Sequence, residues 1–267
     1  MIVGERNEDA RFADLPYYLR PSDLLVLNET RVIAARLAGT RLPTGGSVEL
    51  LLLHPAGSDR YHSGALRWVV LARPARRLRL GDRIAFDGGI ATVRAVLDDG
   101  AREVAFEIAE PFEAFLERAG RLPLPPYVRR DSPEVQQGYQ TVFARVPGSV
   151  AAPTASLHFT SELLARIRDK GIEIARITLD VGLGTFRPMT ARRIDDHTMH
   201  AEAYCIPAEA AEAIERAREE GRRIVAAGTT VVRALEGNVQ AHGRIVAGRG
   251  GPISSSRRAL RFAWLTS

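Results

Sequence analysis

The chain has 267 residues, is 45% hydrophobic and 26% charged, and carries a formal net charge of +5 with a pI near 9.8. Those proportions are ordinary for a globular chain long enough for one large or two modest domains, and no stretch approaches the ~20 apolar residues of a membrane span. Cys205 is the only cysteine, which excludes an internal disulfide and makes a reducing cytoplasm the expected home. The N-terminus, Met1-Ile2-Val3-Gly4-Glu5-Arg6, turns charged at once, so no signal peptide is expected. Lys170 is the only lysine, so arginine carries nearly all the positive charge. The Arg:Lys ratio follows from GC-rich coding, whereas the cation excess favours an anionic partner such as RNA.

From Leu24 to Leu27 an apolar run ends in Asn28-Glu29-Thr30-Arg31 and reads as a buried strand leaving into a polar loop. Short β-like runs follow at Val32–Leu37, Val48–Leu53, Trp68–Ala72, Arg83–Phe86, Ile90–Leu97 and Glu103–Ile108, separated by Gly-, Asp- and Pro-rich turns. Strands at this spacing predict a small barrel or sandwich. Phe112–Gly120 reads as a short helix with Phe112, Phe115 and Leu116 on one face. The prolines of Leu122-Pro123-Leu124-Pro125-Pro126-Tyr127 then enforce an extended loop. Beyond it the pattern alternates. A helix opens at Thr160 and ends near Lys170, Ile172–Leu179 is a strand, and Pro207–Glu220 is a helix. Arg223–Ala227 is a strand, and Gly228-Thr229-Thr230 leads into a helix through Val231–Glu236. Alternation of this kind predicts an open α/β sheet whose ligands sit at the carboxyl ends of strands.

Four clusters are candidates for chemistry. In Pro153-Thr154-Ala155-Ser156-Leu157-His158-Phe159-Thr160, His158 is either a proton-transfer group or a loop histidine beside the Thr160 cap. Asp180-Val181-Gly182-Leu183-Gly184-Thr185-Phe186 is either a close-approach loop or a tight strand exit; it lacks the third glycine of a dinucleotide fingerprint. Asp195-Asp196-His197-Thr198-Met199-His200-Ala201-Glu202 gathers two imidazoles and three carboxylates, but without a His-Glu-x-x-His form or a cysteine pair no metal is expected. In an extended segment His200 and Glu202 point the same way, so Glu202 orients or tunes His200; a polar surface loop is the alternative. Gly228-Thr229-Thr230-Val231-Val232-Arg233-Ala234-Leu235-Glu236 opens a helix after a buried strand, where phosphate or carboxylate is captured. It is not a P-loop, and Arg233 and Glu236 share a helix face and can simply pair.

In their order and wording these clusters resemble the S-adenosylmethionine:tRNA ribosyltransferase-isomerase family of queuosine biosynthesis. The resemblance rests on Asn28-Glu29-Thr30-Arg31-Val32, Gly148-Ser149-Val150-Ala151-Ala152-Pro153-Thr154-Ala155, Leu157-His158-Phe159-Thr160 and Val181 through Pro188. It extends to His197-Thr198-Met199-His200-Ala201-Glu202 and Gly228 through Glu236, and runs from about Phe12 to about Leu235. It implies an open α/β domain with an inserted small β-barrel. It implies transfer and isomerisation of the ribosyl group of S-adenosylmethionine onto 7-aminomethyl-7-deazaguanine at the tRNA wobble position, giving epoxyqueuosine-tRNA, adenine and methionine. The partners are then tRNA and S-adenosylmethionine as co-substrate, with no tightly bound cofactor, no metal and no membrane, in a cytoplasmic monomer. His158, His200 and Glu202 become the expected catalytic residues. Asn28, Thr30, Arg31, Thr154, Gly182, Gly184, Thr185, Phe186, Gly228, Thr229, Thr230 and Arg233 become the expected substrate-binding positions.

The expected division is an α/β catalytic domain at 1–30 and 127–267, with a β-barrel domain, its following helix and the Pro-rich loop at 31–126. Three departures from the family pattern stand out: a later start, Asp180 where many members carry histidine, and an arginine- and serine-rich tail in place of an Asn-Phe-His-Leu-Pro motif. They predict a C-terminally incomplete catalytic domain produced by frameshift or truncation, or else an inactive paralogue that binds tRNA without catalysis.

Overall fold

The computed structural model describes residues 9–56, 66–125, 128, 132–182 and 202–251. In chain order its strands are β1 Leu24–Asn28, β2 Thr30–Val32, β3 Arg36–Leu42, β4 Gly46–Pro55, β5 Arg67–Arg73, β6 Arg83–Phe86 and β7 Gly89–Val96. They continue with β8 Arg102–Ile108, β9 Gly120–Arg121, β10 Val146–Ser149, β11 Glu173–Leu179, β12 Tyr204–Ile206, β13 Ile224–Ala226 and β14 Gly248–Gly250. The helices are α1 Leu15–Tyr18, α2 Phe112–Ala119, α3 Pro133–Gly138, α4 Ser161–Asp169, α5 Ala208–Glu219 and α6 Thr229–His242.

All five residues of β1 are buried, as a strand flanked on both edges and covered on both faces requires. It pairs in parallel with β11 on one side and β13 on the other. Antiparallel β12 and β14 extend the sheet to the order β13-β1-β11-β12-β14. Leu24 and Val26 face a core shared with α5 and α6. Leu25 and Leu27 face the opposite core, built on Leu163, Leu164 and Ile167 of α4. This is the two-faced burial of an α/β sheet. Thr160 caps α4 through Oγ1, which accepts from the Leu163 N–H at 3.1 Å.

The second sheet is antiparallel and closes on itself: β3-β4-β5-β8-β7-β6 returns to β3, and β9 adds beside it. Its interior is filled by Leu37, Leu50, Leu52, Trp68, Val70, Ile84, Val93 and Val104. The apolar stripe of α2 closes this core, with the Phe112 ring stacked on Trp68 at 5.5 Å between centroids. The structure thus carries the open α/β sheet and the small barrel that the sequence pattern predicts.

Two local readings are corrected. Val32–Leu37 is not one strand. The chain leaves β2 at Val32, crosses from one sheet to the other, and re-enters at Arg36. There the Ile33 N–H binds the Ser149 carbonyl while the Ala35 carbonyl accepts from Leu52. The last helix also continues past Glu236 to His242. Its added turns bury Asn238 and pack Val239, and it ends at Gly243 with φ +74°.

Candidate active site

Because β1, β11 and β13 are parallel, their carboxyl ends open on one edge of the sheet, where α/β proteins place ligands. Each end delivers one of the clusters singled out in the sequence. β1 delivers Asn28-Glu29-Thr30, β11 delivers Asp180-Val181-Gly182, and β13 delivers Gly228-Thr229-Thr230 at the start of α6.

Asn28 is a buried clamp. Its Nδ2 donates to the Leu179 carbonyl at 3.0 Å, and its Oδ1 accepts from Leu179 N–H at 3.0 Å and Thr30 N–H at 3.2 Å. An amide engaged on this scale joins two strands rather than recognising a ligand. It also turns Thr30 so that the buried hydroxyl donates to Asp180 Oδ1 at 3.2 Å. Glu29 points elsewhere, buried and paired with Arg145 at 2.8 Å and Arg176 at 3.6 Å. Arg31 is exposed and reaches Glu117 of α2 at 3.5 Å.

The β11 exit is pinned on several sides. Asp180 N–H donates to the Ala203 carbonyl at 2.9 Å. Val181 N–H donates to Ser149 Oγ at 2.9 Å, and Ser149 Oγ–H donates to the Ala151 carbonyl at 2.6 Å. A Cβ on Gly148 would stand 2.8 Å from Asp180 Oδ1, so only glycine leaves room for that carboxyl. Asp180 as a whole is half-buried, but its carboxyl lies in this packed angle. Loss of water pushes its pKa up, Thr30 and Arg249 hold it back, and the charge of Glu202 adds to the rise, leaving it at about 6. A carboxyl in this position holds a proton at mildly acidic pH and releases it near neutrality. Sequence reasoning placed it in the second cluster and marked it as a departure from the family pattern, but gave it no catalytic or binding role. Its local signal was an acid at the end of β11 standing between the buried Leu179 and Val181.

Glu202, of the third cluster, is 4% exposed and joins the second and fourth clusters. Its Oε1 accepts from the Gly182 N–H at 3.1 Å, and its Oε2 pairs with Arg233 of α6 at 2.5 Å. Beyond the local pairing with Glu236 that the sequence offers, Arg233 thus takes part in a longer-range pair. Gly228 has φ +88°, and a Cβ there would meet Ala155 at 3.0 Å, so the start of α6 abuts the 3-10 turn Thr154–His158. No side chain caps this helix start. Thr229 is exposed and Thr230 half-buried beside the first-turn N–H groups, an arrangement suited to an anionic group.

The first cluster divides. Thr154 and His158 are exposed, and the His158 ring leans on Phe12 at 5.2 Å, with Phe159 beneath. Of the expected catalytic residues, Glu202 thus meets Gly182, Arg233 and Asp180, while His158 stands with the aromatic pair. His200, Gly184, Thr185 and Phe186 lie outside the described residues. Among the described residues no group of three or more His, Cys, Asp and Glu side chains could hold a metal ion. Nor is any helix among them long and apolar enough to cross a membrane.

Comparison with known proteins places the chain in a family. Residues 1–254 match the family model described as "Queuosine biosynthesis protein". The chain is 50% identical over 252 residues to an S-adenosylmethionine:tRNA ribosyltransferase-isomerase of Gloeobacter violaceus, covering 94% of this chain and 69% of that protein. It is 50% identical over 246 residues to the protein of the same name from Moorella thermoacetica, covering 91% of this chain and 70% of that one. The crystal structure of an S-adenosylmethionine tRNA ribosyltransferase from Thermotoga maritima is similar at 27% identity with a TM-score of 0.38. That similarity covers 92% of this chain, which spans 64% of the Thermotoga chain.

Proposed function

The chain belongs to the queuosine biosynthesis protein family, and from that premise we propose that it is an S-adenosylmethionine:tRNA ribosyltransferase-isomerase. It transfers and isomerises the ribosyl group of S-adenosylmethionine onto 7-aminomethyl-7-deazaguanine at the wobble position of tRNA. Epoxyqueuosine-tRNA, adenine and methionine are the products. The observation that carries the reading is 50% identity over 252 residues to a relative of that name. The meeting of three of the four clusters at one sheet edge supports it.

The chemistry needs three proton movements. The aminomethyl group must be neutral to attack, a proton beside the sulfonium must be removed, and departing adenine must be protonated. Asp180 suits such a role, since burial holds its carboxyl near the working range of an acid–base group. Glu202 positions the Gly182 loop against α6, and His158 and His200 remain candidates for the other transfers. Thr229 and Thr230 at the start of α6 bind the carboxylate of the methionyl group or a phosphate. The protein works as a cytoplasmic monomer, with residues 31–126 as a discrete barrel domain and no cofactor beyond its co-substrate.

The test is to incubate the chain with S-adenosylmethionine and tRNA carrying 7-aminomethyl-7-deazaguanine. Adenine and methionine released in step with tRNA modification support the proposal. Salt-sensitive tRNA binding without adenine release would instead make the chain a non-catalytic binder. Methyl transfer would make it a different kind of transferase.

A further inference from the structure

The end of the barrel opposite the active-site edge carries a feature that the ribosyl chemistry does not use. The connection from β5 to β6 reads Arg73-Pro74-Ala75-Arg76-Arg77-Leu78-Arg79, and Arg73, Arg76, Arg77 and Arg79 are all exposed. Among the described residues none of these four makes a side-chain ion pair. The acids around them are mostly engaged. Asp82 accepts from the Arg79 backbone N–H at 2.7 Å and pairs with Arg41 at 3.0 Å. Asp99 accepts from the Ala101 N–H at 3.0 Å. Glu49 faces Arg73 across the β4–β5 ladder and Asp82 feels the Arg79 charge, so Arg76 and Arg77 are the freest of the group, with Arg79 exposed beside them.

This segment is held as a platform. Arg102 of β8, 7% exposed, donates to the carbonyls of Leu78 at 3.1 Å, Ala75 at 2.7 Å, Ala101 at 3.1 Å and Gly100. It has no carboxylate partner among the described residues, so its charge adds to the surface field instead of being neutralised. A guanidinium spent entirely on carbonyls fixes the turn that displays the other arginines, and a fixed array binds with less ordering cost than a floppy one.

Position decides the ligand. β3 crosses the barrel from Arg36, beside the active-site edge, to Leu42, where it pairs with Arg83 at the start of β6. Seven residues at ~3.3 Å each place the platform ~20 Å from that edge. No small substrate bridges that distance, but the phosphates of a helical RNA stem leaving the site do. Resting on the function proposed above, we infer that Arg76, Arg77 and Arg79 form a second, distal tRNA-binding site. It grips stem phosphates while the wobble nucleotide occupies the sheet edge.

The experiment compares the chain with R76Q/R77Q/R79Q and with the charge-preserving R76K/R77K/R79K. Each is titrated against full-length tRNA and against an isolated anticodon stem-loop, over a series of salt concentrations. The glutamine variant should bind full-length tRNA roughly ten- to a hundred-fold more weakly near physiological salt, with a log Kd–log salt slope smaller by about 2–3. The lysine variant should keep the slope, and the isolated stem-loop, which carries the same stem phosphates, should show the same weakening with the glutamine variant. Turnover at saturating tRNA should not change, because the effect lies in KM for tRNA. Unchanged tRNA affinity and slope in the glutamine variant overturn the distal site while leaving the enzyme reading intact. A parent chain that binds no tRNA overturns both.

Discussion

Asp180→Asn tests the candidate active-site edge most directly. The side chains match in size, and an asparagine Oδ1 can still accept from Thr30. In the folded chain the Asp180 carboxyl titrates at about 6, against 3.8 for the free group, with burial as the largest cause. Because the folded value is raised, the stabilising state is the protonated one. Its contribution is complete below pH 3.8 and is lost as pH climbs through about 6. The gap corresponds to about 3 kcal/mol, and because the residue is only half-buried, about 2–3 kcal/mol is the expected effect. Removing the charge removes the penalty. The variant should match the parent chain near pH 4 and exceed it by about 2–3 kcal/mol above pH 7, or roughly 5–10 °C in Tm. Measuring the difference between the two proteins cancels the other acids. Asp23 is one of these. Burial alone would raise it, but its bonds with Arg223 and the Arg20 N–H leave its pKa lowered, so it acts in the opposite pH direction. The assay is denaturant unfolding of both proteins from pH 4 to pH 8. A difference that does not vary with pH, or that grows on acidification, would refute the placement of the carboxyl. If the same variant also loses turnover, the strained acid is retained for chemistry at the expense of stability.

Thr30→Val removes the hydroxyl that holds the Asp180 pKa down, so the same pH transition should move upward; NMR titration of the carboxyl checks it, and a downward move contradicts the bond. Arg233→Ala deprives the buried Glu202 carboxylate of its ion-pair partner and should cost about 3–5 kcal/mol at pH 7. The loss should shrink as Glu202 is protonated at low pH, and a melt insensitive to Arg233 at every pH would show that the pair does not form. Asn28→Leu strips the Leu179 N–H and carbonyl of their partners and should cost about 2–4 kcal/mol in urea unfolding. Little or no loss would mean that water or another side chain replaces the amide.

What the sequence disclosed, and what it withheld, follows from the range of the forces involved. Most barrel strands were legible because short β-like runs lie between Gly-, Asp- or Pro-marked turns; β6 falls on Arg83–Phe86 as read, whereas β3 starts only at Arg36, inside the run Val32–Leu37. The helix at Thr160 was legible because its cap is local, a bond three residues long. β10, β12 and β14 were not, since three or four residues are too few to show a period, β10 and β14 also carry Pro147 and Gly248, and all three take their register from partners far along the chain. The active-site edge sits between these limits. Its clusters could be singled out individually, but what makes them one site is a set of long-range bonds: Asn28 to Leu179 across 151 positions, Thr30 to Asp180 across 150, Glu202 to Arg233 across 31. No local pattern encodes those pairings. The sequence-level choice between Arg233 as a ligand anchor and Arg233 as the partner of Glu236 missed Glu202 for that reason. Asp180 was given no role for a related one. An acid at a strand end has no diagnostic spacing, and its chemistry depends on how closely Gly148 lets the β10 backbone approach it. The position where the family resemblance leads one to expect histidine is thus the one where three distant segments converge. A different proton-holding group there needs only that Thr30 and Gly148 accommodate it, as both do for a carboxyl.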